Sequence, residues 1–220
     1  MNSEYLSCAD TAKLLRAALR ESFPAVKFSV RSSVYSGGAS IDISWTDGPT
    51  SKQVEAISCR FEGAYFDGMI DYKGSRYHTL DGSPVHFGAN FIFERREYSD
   101  ALLARAIADV SQGFGGNTPI TVDGYKRGDA HSWRNDGGCD LGRALRLWFS
   151  GEAQIDSVTP DAGMIAQPSA TLARVRFAGD DGYGQGTVGR NPAQPDGEQC
   201  YKAQEAARQR VADARALGLT

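Results

Sequence analysis

The stretch Ser40-Ile41-Asp42-Ile43-Ser44-Trp45-Thr46-Asp47-Gly48-Pro49-Thr50-Ser51-Lys52-Gln53-Val54-Glu55-Ala56-Ile57, SIDISWTDGPTSKQVEAI, changes its hydrophobic period in mid-course. Ile41, Ile43 and Trp45 alternate with Asp42 and Ser44, the pattern of a half-buried strand, whereas Val54, Ile57 and the following Phe61 recur at helical spacing. Between the two, Asp47-Gly48-Pro49 turns the chain. Thr50 and Gln53 stand at the capping-box spacing, in which two side chains satisfy helix-terminal amides reciprocally. Every residue type at this corner has a backbone duty, so the segment reads as a strand-to-helix connection. The alternative is a substrate-binding role for Asp47.

Working upstream, Ser7 to Glu21 reads as an amphipathic helix. Ser7 or Asp10 accepts the free amide hydrogens at its start, Leu15, Ala18 and Leu19 form its apolar face, and Pro24 ends it. Val26, Phe28 and Val30 then alternate with Lys27, Ser29 and Arg31 as a strand, which the Ser36-Gly37-Gly38 turn pairs antiparallel with the strand through Trp45. Downstream, Ala64 to Tyr72 alternates as a strand or an extended arm, Asp81-Gly82-Ser83-Pro84 turns, and Val85 to Arg95 forms a further strand through Phe91 and Phe93. Ser99 or Asp100 caps a helix whose buried stripe is Leu102, Leu103, Ala106, Ile107 and Val110. These elements predict an α+β domain over residues 1–113, in the order αββαββα, with helices on one face of an antiparallel sheet. Residues 114–220 read as a loop-rich C-terminal region. It holds a strand at Pro119 to Val122, a short helix at Leu141 to Phe149, a strand at Thr171 to Phe177 and a terminal helix over 198–217.

Composition narrows the function classes. A net charge of −3 is far from the basic balance that marks most nucleic-acid binders, and too mild for a whole-molecule mimic of DNA. A local basic patch stays compatible with that average. No apolar run approaches the roughly 18 residues that span a bilayer, and the start MNSEYLSCAD lacks the order of a signal peptide. The expectation is a soluble, cytoplasmic chain without membrane contact, its four cysteines (Cys8, Cys59, Cys139, Cys200) reduced and without a C-x-x-C pair.

The chemical motifs are weak. Gly182 to Gly189 contains G-x-G-x-x-G, but Pro192 and Pro195 stand where a dinucleotide site needs its helix, so a loop is the better reading. Glu62, Asp67 and Asp71 offer oxygen ligands for a hard cation, although solvated edge-strand charges are the more common reading. His78, His86 and His131 have no partner at metal spacing, and no nucleophile motif accompanies them. No catalytic residue, cofactor or metal is therefore assigned. Tyr125 to Arg134 instead interleaves cations with aromatics, and Arg143, Arg146 and Trp148 continue the mixture. Arginine and tryptophan dominate the energetic centres of protein interfaces, and the same pair suits single-stranded nucleic acid. Arg127, Trp133, Arg134, Arg143, Arg146 and Trp148 are thus the candidate partner-binding residues, with a core role for the tryptophans and a solvated role for the arginines as the plainer reading.

Four ordered blocks carry a family resemblance. They are Phe23-Pro24-Ala25-Val26-Lys27-Phe28-Ser29-Val30-Arg31, Ser36-Gly37-Gly38-Ala39-Ser40-Ile41, Trp45-Thr46-Asp47-Gly48-Pro49-Thr50 and Phe66-Asp67-Gly68-Met69-Ile70-Asp71. Together they resemble a large polyvalent protein-associated domain, over about the first half of the chain. The resemblance implies a home in phages or conjugative elements and transfers no catalytic residues. It further implies an accessory protein that acts by binding. On that expectation the partner is a host defence complex, such as a CRISPR effector or a restriction enzyme, and the alternative partner is nucleic acid in transfer or replication.

Overall fold

The computed structural model describes residues 3–68, 70–113, 120–134, 140–151, 161 and 163–181. The G-x-G-x-x-G motif and the helix expected over 198–217 lie outside them. The chain is α+β, and its described residues fall into two compact units.

The first unit contains residues up to Trp45, Gln53–Arg95 and the segment from Ile165. Helix α1 (Cys8–Ser22) starts where the Ser7 side chain accepts a hydrogen bond from the Asp10 amide, and ends before Pro24. Its stripe of Leu15, Ala18 and Leu19 is fully buried. Strands β2 (Ser29–Tyr35) and β3 (Gly38–Thr46) form the expected antiparallel hairpin, with Tyr35 opposite Gly38 across a turn at Ser36-Gly37. Ile41, Ile43 and Trp45 all point inward, each no more than 2% exposed. Helix α2 (Ser51–Ser58) begins directly after Thr50. It buries Val54 and Ile57, and a 3-10 turn (Cys59–Phe61) continues it to bury Phe61.

Four strands follow where two were expected: β4 (Ala64–Asp67), β5 (Tyr72–Leu80), β6 (Ser83–Phe87) and β7 (Phe91–Glu97). The expected strand through Tyr72 stops at Asp67, because Asp71 adopts a left-handed φ of 50° and turns the chain back into β5. In β7 it is Ile92 that faces inward, while Phe93 is 54% exposed. The sheets are mixed rather than purely antiparallel, since the short β1 (Glu4–Leu6) pairs parallel with β6. Strand β5 carries β6 on one edge. On the other it carries β4 and then β8 (Val175–Asp180), which pairs with Arg76 to Leu80 through a register shift between Tyr77 and His78.

The segment before β8 corrects another expectation. Thr171 does not begin a strand; it lies in helix α6 (Ala170–Arg174). The Glu21 carboxylate accepts hydrogen bonds from Ser169 Oγ at 2.6 Å, the Thr171 amide at 2.9 Å and Thr171 Oγ1 at 2.8 Å. A carboxylate placed on the free amides of a first turn favours helix over strand. Asp181 fixes the far end of this segment by accepting from Tyr65, Tyr72 and the Ser75 amide. Cys8 is a free, buried thiol, but Cys59 is disulfide-bonded, which corrects the expectation of four reduced cysteines. Cysteine spacing without a C-x-x-C pair does not reveal which thiols meet in a fold.

The second unit contains Thr46–Lys52 and Arg96–Met164. Helices α3 (Asp100–Gly113), α4 (Val122–Arg127) and α5 (Leu141–Ser150) enclose a core that includes Leu103, Ala106, Val110, Leu141, Leu145 and Trp148. The strand expected at Pro119 to Val122 is not formed at Val122: Thr121 caps α4 by accepting from the Gly124 amide. The helix expected at Leu141 to Phe149 is α5.

Candidate binding surface

Sorting the charged residues by how their polar atoms are used separates scaffold from free surface. Asp47 belongs to the scaffold. Its φ is 56°, its amide donates to the Glu97 carbonyl, and its carboxylate accepts from the Ser99 amide at 2.8 Å, just ahead of α3. Its carbonyl accepts from Arg96 Nε at 3.1 Å. Arg96 is itself almost fully buried, and its guanidinium also donates to the carbonyls of Gly48 and Phe149 and to Asp161 at 2.6 Å. The second carboxylate oxygen of Asp161 accepts from Arg105, whose guanidinium lies 5.0 Å from the centre of the Trp148 ring. The corner that opens the sequence therefore feeds a buried ionic network within its own unit.

The carboxylates weighed as metal ligands are dispersed. Glu62 pairs with Arg76 at 2.6 Å and accepts from the Ile92 amide, Asp67 is buried at the end of β4, and Asp71 is exposed in the turn. Among the described residues no three His, Cys, Asp or Glu side chains gather where an ion could sit. His78 is buried between Phe87 and Phe177, where desolvation, aided by the Arg76 charge, pulls its pKa down to about 3. His86 stacks on Tyr5. Glu94 is pushed up to about 7 by burial, against the hydrogen bond it accepts from Ser58.

The six residues singled out as partner-binding divide. Trp148 is 1% exposed and belongs to the core of the second unit. Arg127 ends α4 and pairs with Asp129 at 2.8 Å, both exposed. Trp133 is 38% exposed, and Arg134 makes a single backbone bridge to Asp140. Arg143 and Arg146 stand three residues apart on the exposed side of α5, so they lie one above the other. Neither has a carboxylate partner among the described residues. The helical spacing of Leu141, Ala144, Leu145, Trp148 and Phe149 already carried the signal that Trp148 is core.

Next to Arg146 the second unit is concave. Tyr125, Lys126, Gly128, Ala130, His131, Gly142 and Arg146 line a cavity of about 330 Å³. Gly128 caps α4 in the left-handed region at φ 90°, which lets the chain turn at once into the 3-10 turn Asp129–Ser132 that carries His131. Gly142 is needed for close approach, since a Cβ there would sit 2.7 Å from His131 Nδ1. No local pattern marks Gly142 as a wall residue, because the contact joins positions in separate elements.

Residues 6–99 match the family of large polyvalent protein associated domain 29. The matched segment is similar to such a domain. It runs from the end of β1 through β7 and stops at Ser99, immediately before α3. The matched segment thus includes the Asp47 corner, whereas Arg127, Trp133, Arg134, Arg143 and Arg146 all lie beyond it. The match suggests a protein associated with phages or other mobile genetic elements. No curated protein and no solved structure matches the chain. No helix among the described residues is long and apolar enough to cross a membrane.

Proposed function

We propose that this chain is an accessory protein of a mobile genetic element that acts by binding, and that its partner is a host defence protein complex, a CRISPR effector or a restriction enzyme. The observation that carries the binding mode is the exposed strip of Arg143 and Arg146 on α5, two cations without carboxylate partners among the described residues. With Trp133 and Arg134 also exposed in the same unit, it supplies the arginine-and-aromatic composition of interface centres. Trp148 leaves the proposed set, since burial gives it no surface to offer. The mobile-element context favours a defence target, because a small binder of such origin benefits its element by blocking host attack.

The test is expression of the chain in bacteria that carry one defined interference or restriction system. Efficiency of plating or transformation is expected to rise, and the Arg143→Glu/Arg146→Glu variant is expected to lose that protection. A folded chain that protects against neither kind of system counts against the reading. The same unpaired arginines favour one second reading, a nucleic-acid-binding accessory in transfer or replication. That reading predicts binding of single strands that weakens steeply with salt, because each neutralised phosphate releases counterions.

A further inference from the structure

We infer that the cavity beside α5 is a binding site for a phosphate monoester. The inference rests on α4 and α5 forming the working surface, and it is independent of which macromolecule docks there.

The wall chemistry selects the ligand. The lining offers three groups able to carry positive charge, Lys126, His131 and Arg146, together with the Tyr125 phenol, and it includes no carboxylate. Carboxylates stand nearby, but each is engaged elsewhere. Asp100 pairs with Lys126 at 2.6 Å, leaving other ammonium protons free, and Asp129 pairs with Arg127. Asp140 caps α5 by accepting from the Arg143 amide and lies 4.0 Å from His131 Nδ1. Arg146 has no such partner among the described residues, and its charge reaches the half-buried Tyr125, where it opposes the rise in phenol pKa that burial causes. A guanidinium fork, an ammonium and an imidazole on the wall of one concavity match a dianion that presents several oxygens.

The floor of the site supports the same reading. Gly128 places bare backbone in the wall with nothing within 4 Å of where a side chain would begin, so an anion can approach there, while Gly142 makes room for the His131 ring. A volume of about 330 Å³ lies at the lower end of small-molecule sites and suits a phosphorylated nucleoside better than a peptide. Arg146 lines the cavity and is exposed. A phosphate monoester reaches such a site either as a free nucleotide or as the 5′ end of a nucleic-acid strand.

The experiment is calorimetric titration of the full chain with adenosine monophosphate, with a short 5′-phosphorylated single strand, and with the same strand lacking the phosphate. At least one phosphorylated probe is expected to bind, and the unphosphorylated strand is expected to bind more weakly. Arg146→Glu, on the exposed side of the helix, should weaken binding by at least about tenfold through loss of a charge-assisted pair. Gly142→Ala should do the same by displacing His131. Binding of the nucleotide alone identifies a free ligand, and binding of the phosphorylated strand alone identifies a strand end. Absence of binding by both at millimolar concentration overturns the site, as does binding that Arg146→Glu leaves unchanged. Host-protection assays on Gly142→Ala separate this inference from the proposed function: protection kept while phosphate binding is lost leaves the binding role standing without the site.

Discussion

Asp47 and Arg146 are both charged, both belong to the second unit and both stand out in the sequence, yet the structure uses them in opposite ways. Asp47 commits its amide, carbonyl and carboxylate to the backbone and to Arg96, whereas Arg146 extends from an exposed helix face without a carboxylate partner among the described residues. A charge whose polar atoms are all used locally holds a fold together. A charge left unpaired beside a concavity is available to something else. The difference teaches that partner accounting, and not residue type, separates scaffold from working surface.

The sharpest way to break this comparison is to remove the ionic centre beneath Asp47. Arg96→Ala should leave Asp161 buried without its closest cation and lower stability by about 3–5 kcal/mol, read as the urea midpoint. A loss under about 1 kcal/mol would show that the network is peripheral. The Asp47→Ala substitution is milder, since it removes one acceptor ahead of α3 and keeps a left-handed φ that alanine disfavours. It should cost about 1–2 kcal/mol, with binding to any partner intact.

The first unit gives a pH-dependent contrast of its own. His78 has a folded pKa near 3, below its ordinary value of about 6.5, so the stability it contributes is complete above pH ~6.5 and is lost as pH falls toward 3. Glu94 has a folded pKa near 7, above the ordinary carboxylate value, so its contribution is complete below about pH 4.5 and is lost as pH rises through 7. Urea midpoints measured across pH 4 to 9 should therefore show Glu94→Gln gaining on the parent at alkaline pH. His78→Leu should gain at acid pH. Parallel curves for parent and variants would refute both assignments. The smallest stability effect is expected at the surface itself, where Arg143→Ala and Arg146→Ala should stay within about 0.5 kcal/mol of the parent.

What was legible in the sequence was local. Ser7 as cap, the stripe through Leu19, the hairpin at Ser36-Gly37, the Asp47 corner and helix α5 are all fixed by residues within one or two turns of each other. The remainder depends on partners far along the chain. Glu21 makes a helix of Ala170–Arg174, Arg96 meets Asp161, and a three-residue strand adds parallel to β6. A short strand carries too little periodicity to register, and a cap supplied from a distant segment leaves no mark beside the helix it starts. For the surface, the run Tyr125 to Arg134 was visible as a mixture of cations and rings. The division of the candidate set into exposed Trp133 and buried Trp148 depended on reading the period of α5, and the approach of His131 to Gly142 depended on the fold.

The most direct test of the central claim is a side-by-side host-protection assay of Arg143→Glu/Arg146→Glu and Asp47→Asn, with folding of both confirmed by urea unfolding. Protection lost in the arginine variant and kept in Asp47→Asn is the predicted result. Protection that survives the double charge reversal, or that disappears in a folded Asp47→Asn protein, would contradict the account and move the working site back to the corner.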